Sequence, residues 1–418
     1  MKYQYIRNDI LKSKVSMFRK TAPCFFAVVI DALGFGLVYP VMTAIFTADH
    51  SPVLSADASV AVKHFYLGLS YMLYPLCMFF GASFMGDLSD VWGRKKVLLL
   101  CMLGITISFL LMGIGVAFSC LSILLIGRAL SGLMAGSQPI AQASIADLST
   151  PETKALNMSL ISMSFSFGSV LGPLLGGVMS DQQLLSWFTF TTPFLMAALL
   201  AFIAWIWIEL GYQDTVLTLA HKKISIFRPV QIFIEAFEHQ SVRILALVFL
   251  LMQMGFSLYF QFIIVHMKTV YHYANWQLGA VQGMIGLGFA IGILIAMPFC
   301  VNRYKVYHIT LFTLVLTGLG QLLVYFISNP LLQWPLAVVI ATFDIMAFAC
   351  LLTLFSNAVD TQSQGWVMGI SGAVMAFAWM VTGFGSNLLS ILSSAGLIAI
   401  GGMLLITSAL LLLKNKAK

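Results

Sequence analysis

The chain has 418 residues, 60% of them hydrophobic and only 9% charged, with a formal net charge of +7. Soluble domains run near 45–50% apolar and about 25% charged, so these figures exclude a water-soluble globule and point to a polytopic membrane protein. The mean hydropathy, +0.96, agrees.

Twelve apolar runs reach the roughly 20 residues a helix needs to cross a bilayer: 19–47, 64–86, 96–118, 121–146, 154–180, 187–209, 242–268, 275–299, 305–328, 331–358, 364–391 and 394–413. They are too long for barrel strands and lack alternation at period two. The expected fold is therefore an all-α polytopic membrane protein of 12 transmembrane helices, which the polar break at 210–241 and a weak internal repeat arrange as two pseudo-symmetric six-helix bundles. Residues 2–20 are basic and the run behind them is too long for a signal peptide, with no A-x-A-like site after it. They read as a cytoplasmic tail. With both termini inside, only Lys63, Lys268 and the intramembrane Arg128 among the 22 Lys and Arg fall off the cytoplasmic side. That asymmetry is the positive-inside rule, and it removes the need for a nucleic-acid partner.

The first run contains VVIDALGFGLVYP, with Asp31, Phe35 and Tyr39 at i, i+4 and i+8 on one face. An acid inside a span is a functional candidate by default. Burial favours its neutral form and a nearby Arg128 would favour its carboxylate. A group so placed can take and release a proton as water access changes.

Between the second and third runs lies GDLSDVWGRKKVLLL. Anchoring explains Arg94, Lys95 and Lys96, but not the two aspartates or the glycines at both ends. The pattern Gly86-x3-Asp90-x2-Gly93-Arg94-Lys95 resembles the signature loop of the major facilitator superfamily in residue type, spacing and place in the helix count. The resemblance implies a gate element, in which Asp90 meets the other half near the start of the eleventh helix and Arg94 binds acids such as Asp147 in the outward-facing state.

The fourth run, IGRALSGLMAGSQP, sets Arg128, Gly132, Pro139 and Gln142 on one face; this is similar to the superfamily's helix-4 motif. The fifth, SFGSVLGPLLGG, carries Gly168, Gly172, Pro173, Gly176 and Gly177. Glycines four apart bare one helix face for close packing. The full pattern resembles the antiporter motif of the drug:proton antiporters. IDALGFGLVYPV, HFYLGLSYMLYP and IADLSTPETKALNMSLISMSFSFGSVLGPLLGG extend the likeness, toward the tetracycline:proton antiporters, over most of residues 25–180. Those proteins carry an important acid in helix 9; the run 305–328 has none, which leaves tetracycline itself open.

The longest polar break, 210–241, reads as a cytoplasmic linker with an interfacial helix. It divides the chain into an N-terminal bundle (1–209) and a C-terminal bundle (242–418). PFCVNRYKV, between the eighth and ninth runs, echoes the gate loop, with Asn302 opposite Asp90 and Lys305 opposite Gly93. That suits a duplicated transporter. Gln253, Ser257 and Gln261 form a polar stripe on the seventh run; with Gln282, Phe377 and Trp379 they are candidate cavity residues beside Phe35, Tyr39 and Gln142. Asp344, deep in the tenth run, is either a second proton or substrate contact or a carboxyl satisfied locally.

The six cysteines have no metal-ligand spacing, and neither HExxH nor a Walker loop occurs. No metal, cofactor or ATP is expected, with protons as the coupling ion. No cluster of catalytic groups favours a lipid-modifying enzyme. The expected function is proton-coupled antiport of a small organic molecule across a bacterial inner membrane by a monomer. Asp31, Arg128 and Asp344 would carry the proton coupling, and protonation of Asp31 would loosen its link to Arg128. The alternative is a proton-coupled symporter for a nutrient, or a siderophore-type metabolite carrier.

Overall fold

The computed structural model describes residues 2–149, 151–212, 225–240, 242–360 and 363–416. Every regular element among them is helical, and they form 12 spans long and apolar enough to cross a membrane. Spans 1–6 are Thr21–Thr47, Val60–Trp92, Arg94–Ala117, Leu121–Leu148, Asn157–Met179 and Thr192–Gly211. Spans 7–12 are Arg243–Tyr271, Asn275–Val301, Val306–Phe326, Pro330–Asn357, Gln364–Ser390 and Ser394–Lys414. The helix of span 1 starts upstream at Lys2, so the basic tail continues the span.

Spans 1–6 pack as one bundle and spans 7–12 as a second; the two meet along the pairs 1/7, 2/11 and 5/8. Peripheral spans expose apolar rows, such as Leu103, Ile107, Leu110 and Ile114 on span 3 and Leu199, Phe202 and Ile206 on span 6. Such rows suit hydrocarbon, where no hydrophobic penalty opposes them and helices satisfy their own backbone.

Close packing of the bundles depends on the span 5 glycines. A Cβ on Gly168, Gly172 or Gly176 would strike the carbonyl of Val29, Leu33 or Leu37 on span 1. Those atoms are backbone and cannot swing aside. Gly177 faces the other way, onto Gly279 of span 8, and the carbonyl of Pro173 fills the place of a Gly279 Cβ. One motif therefore closes two seams, one within the first bundle and one between bundles.

Two spans depart from a regular α-helix near a proline. Span 4 is helical over Leu121–Leu133 and again over Ser137–Leu148. Pro139 has no N–H, and its ring crowds the carbonyl four residues back, at Ala135. The ladder resumes with Ile140 N–H donating to Gly136 O, 3.2 Å. Span 8 passes through a π-turn at Gly292–Ala296 before Pro298.

The stretch from Gly86 is not the open loop expected between two helices. Span 2 stays helical to Trp92 and span 3 begins at Arg94, so the joint is Gly93 alone. Gly93 has φ 96° and ψ 147°, a region open to glycine but strained for other residues.

Of the linker, residues 213–224, including Lys222 and Lys223, lie outside the described residues. A helix at Arg228–Glu238 follows. Its Phe233 ring lies 4.7 Å from Phe377 of span 11 and 6.3 Å from Phe79 of span 2, centroid to centroid. The linker helix thus touches both bundles.

Candidate functional site

Arg128 sits on the first segment of span 4, 1% exposed. Its Nε donates to the Ser70 carbonyl of span 2, 3.1 Å. The guanidinium lies over Tyr74 at 4.6 Å and Tyr39 at 5.7 Å, inside the range of a cation–π contact. Among the described residues no ion pair joins it to an acid.

Asp31 is half-buried on span 1. It lies near Ser137 and Gln138, the first two residues of the second segment of span 4, and the Ser137 hydroxyl has no hydrogen-bond partner. The break in span 4 therefore offers Asp31 a helix N-terminus, where free N–H groups and the helix dipole favour an anion. The expected direct link between Asp31 and Arg128 is absent. Instead both line one narrow cavity of about 10 Å³, together with Phe35, Tyr74, Phe109 and Ser131.

Aromatic side chains cross from this cavity to the second bundle. Phe35 stacks on Phe260 of span 7 at 6.1 Å, with 21° between the planes, and lies 5.4 Å from Trp379 of span 11. Tyr39 meets the Phe260 edge at 5.2 Å. Around them Trp379 Nε1 donates to Gln253 Oε1, 3.5 Å, and Ser257 Oγ pairs with Thr382 Oγ1, 2.7 Å. Gln261 Nε2 donates to the same Thr382 hydroxyl, 3.4 Å, and Gln282 Nε2 to the Phe260 carbonyl, 3.4 Å. The structure so brings together Asp31, Phe35, Tyr39, Arg128, Gln253, Ser257, Gln261, Gln282 and Trp379. Gln142 is half-buried further down span 4. Phe377 stands apart, against the linker helix. Asp344 is also separate: on span 10 it is 4% exposed, and its Oδ1 has no hydrogen-bond partner.

At the Gly93 joint, Arg94 Nη1 pairs with Asp90 Oδ1 at 3.0 Å and donates to Ser89 Oγ at 2.8 Å. Its Nε lies 3.5 Å from Asp147 Oδ2, at the end of span 4. Lys95 pairs with Glu209 Oε2 of span 6 at 3.5 Å. Gly86 has open space around it. Sequence reasoning missed Asp87, whose carboxylate takes a hydrogen bond from Arg228 of the linker helix. The signal was there: an acid that anchoring did not explain, and an arginine opening an amphipathic linker segment.

These elements define a polytopic helical membrane protein of two six-span bundles around a polar and aromatic centre. A family model described as Major Facilitator Superfamily matches residues 24–383. The chain belongs to that superfamily and is a transporter of its fold. It is 27% identical over 353 residues to the class C tetracycline resistance protein of Escherichia coli, covering 83% of each chain. The class B tetracycline resistance protein of Escherichia coli is 30% identical over 186 residues, 44% of this chain and 42% of that one. The crystal structure of the human organic anion transporter MFSD10 shares the fold, with a TM-score of 0.68 over 95% of this chain and 99% of that one, at 20% identity.

Proposed function

We propose that this transporter exports a small organic molecule in exchange for protons, by alternating access, with its basic end and both termini in the bacterial cytoplasm. The observation that carries the reading is Asp31 at the N-terminus of the second segment of span 4, sharing a cavity with Arg128. An anion at a helix N-terminus gains about 0.3–2 kcal/mol. Stripping water from an ion costs several kcal/mol. The site alone does not commit Asp31 to its charged form, which suits a group that loads and unloads a proton.

The coupling differs from a direct Asp31–Arg128 bond. Protonation of Asp31 withdraws its charge from the segment Ser137–Leu148, whose far end holds Asp147 beside Arg94. The half-helix links the proton site to the Gly93 joint. Arg128 keeps the cavity positive and supports the aromatic floor on which substrate would sit. Asp344, buried and unpaired on one oxygen, is a second proton site in the other bundle. The span 5 motif supports antiport, and the tetracycline resistance relatives support export. The protein acts as a monomer without a cofactor.

The energetics permit it. One charge crossing 100 mV is worth about 2.3 kcal/mol, enough for roughly a 50-fold gradient of a neutral substrate at about 1.4 kcal/mol per tenfold. Asp31→Asn in proteoliposomes is expected to abolish transport driven by a pH gradient while substrate exchange continues. Full proton-driven transport by that variant would remove Asp31 from the coupling. Uptake toward the basic end, in vesicles of known orientation, would replace export by symport.

A further inference from the structure

The end of the molecule opposite the Gly93 joint holds a polar contact between bundles. Asp181 follows span 5 directly and is 4% exposed. Its Oδ1 accepts from the Gln183 N–H, 3.0 Å, which orients the carboxylate. Its Oδ2 accepts from the backbone N–H of Trp276, 3.1 Å, at the second residue of span 8 in the other bundle. Beside it Asn275 Nδ2 donates to the Ser180 carbonyl, 3.0 Å. Lys268, at the end of span 7, donates to the Tyr273 carbonyl at 3.2 Å and to Asn275 Oδ1 at 3.4 Å, and feels the charges of Asp181 and Asp49.

The N-cap of span 8 explains why this contact matters. Position 274 is alanine, and alanine has no side-chain oxygen to receive the free N–H groups of the first turn. Gln277 Oε1 accepts from the Ala274 N–H, 2.9 Å, and the Ala274 carbonyl takes the N–H groups of Gln277 and Leu278, 3.0 and 3.2 Å, which leaves those of Asn275 and Trp276 to be satisfied. The missing acceptor comes from the first bundle. Span 8 therefore begins with a borrowed cap, and parting the bundles at this end uncaps it.

We propose that Asp181 is the positioning residue that holds this end shut, acting as an N-cap supplied across the seam, and that it sets how often the transporter opens here. The proposal rests on the alternating-access reading above. Its structural consequence is that the opening cost lies in span 8 and falls if span 8 receives a cap of its own.

The test uses Ser386→Cys as a reporter. Ser386 is buried on the 2/11 seam at the same end, where its hydroxyl donates to the His64 carbonyl, 2.8 Å. Purified protein in nanodiscs is treated with a maleimide, and modification at residue 386 is followed by mass spectrometry. Adding Asp181→Asn, which keeps an accepting oxygen and removes the charge, is expected to raise the rate about two- to fivefold, the scale of a charge lost from a helix N-terminus. Adding Ala274→Ser is expected to raise it as well, although every seam residue remains. Gln183→Ala, which keeps the backbone N–H, is expected to change nothing. An unchanged or slower rate in both Asp181→Asn and Ala274→Ser, at an unaltered unfolding temperature, would overturn the proposal. Should Asp181→Asn fail to fold, Ala274→Ser decides alone.

Labelling needs no substrate, so the two readings fail separately. Flat labelling with intact proton-driven transport sinks the latch and spares the antiporter. Faster labelling without any proton-driven transport in the parent does the reverse.

Discussion

Arg128 is held by ring faces and a carbonyl, and this has a consequence for lysine at the same place. Guanidinium is planar and weakly hydrated, so it stacks on Tyr74 and Tyr39 while its Nε reaches Ser70 O. An ammonium keeps the charge but is compact and more strongly hydrated. A stacked cation contributes about 0.5–2 kcal/mol, and a hydrogen bond from a charged group about 1.5–3 kcal/mol. Arg128→Lys is therefore expected to lower the initial transport rate at least about tenfold with similar protein in the membrane, measured in oriented vesicles. A rate within about twofold of the parent would mean that charge alone is needed at this position. The candidate groups themselves were legible in the sequence, because Asp31, Arg128 and Asp344 each stand alone in an apolar run. Their partners were not. Asp31 and Arg128 looked like a pair by sign and depth, yet Asp31 lies near a helix end created by a break elsewhere in the chain.

The spans themselves were legible from length and hydropathy, which depend on composition over about 20 residues. The breaks depend on single residues. Pro139 shares a helical face with Arg128 in a continuous reading, and a proline inside a membrane helix can be absorbed as a kink. The structure shows a full interruption instead, at Met134–Gly136, which exposes the Ser137 and Gln138 end to Asp31. Likewise GDLSDVWG reads as a turn because of its glycines and charges, while the helix runs through to Trp92 and only Gly93 leaves it. If Pro139 makes the break, Pro139→Ala restores an N–H and favours a continuous span 4. Asp31 would remain in place but lose the N-terminus it faces. The expected result is loss of proton-driven transport with exchange retained, the same phenotype as Asp31→Asn. Equal coupling in Pro139→Ala and the parent would show that the half-helix end is not part of the proton site.

At the scale of the whole molecule, alternating access requires each end of the seam to open while the other stays closed. The end opposite Gly93 is shut by Asp181 on span 8. The basic end is bridged by the linker helix, through Arg228 on Asp87 and through Trp366 Nε1, which donates to Glu235 Oε2 at 2.7 Å. Asp87 and Arg228 are 141 residues apart in sequence, so no local pattern could pair them. The Asp87 side chain is only 5% exposed and that of Arg228 41%, which places the pair between a surface contact, about 0–1 kcal/mol, and a buried one, whose loss of one partner costs about 3–5 kcal/mol. Arg228→Glu sets two acids against each other and should hold the basic end apart, cutting transport about tenfold. The exchanged pair, Asp87→Arg with Arg228→Glu, restores opposite charges and is expected to recover transport to within about threefold of the parent. The rate in oriented vesicles reads both. Recovery in the exchanged pair makes the linker helix a working part of the gate. A single reversal that transports normally would reduce the linker to a tether, and would leave closure of that end to Arg94, Asp90 and Asp147.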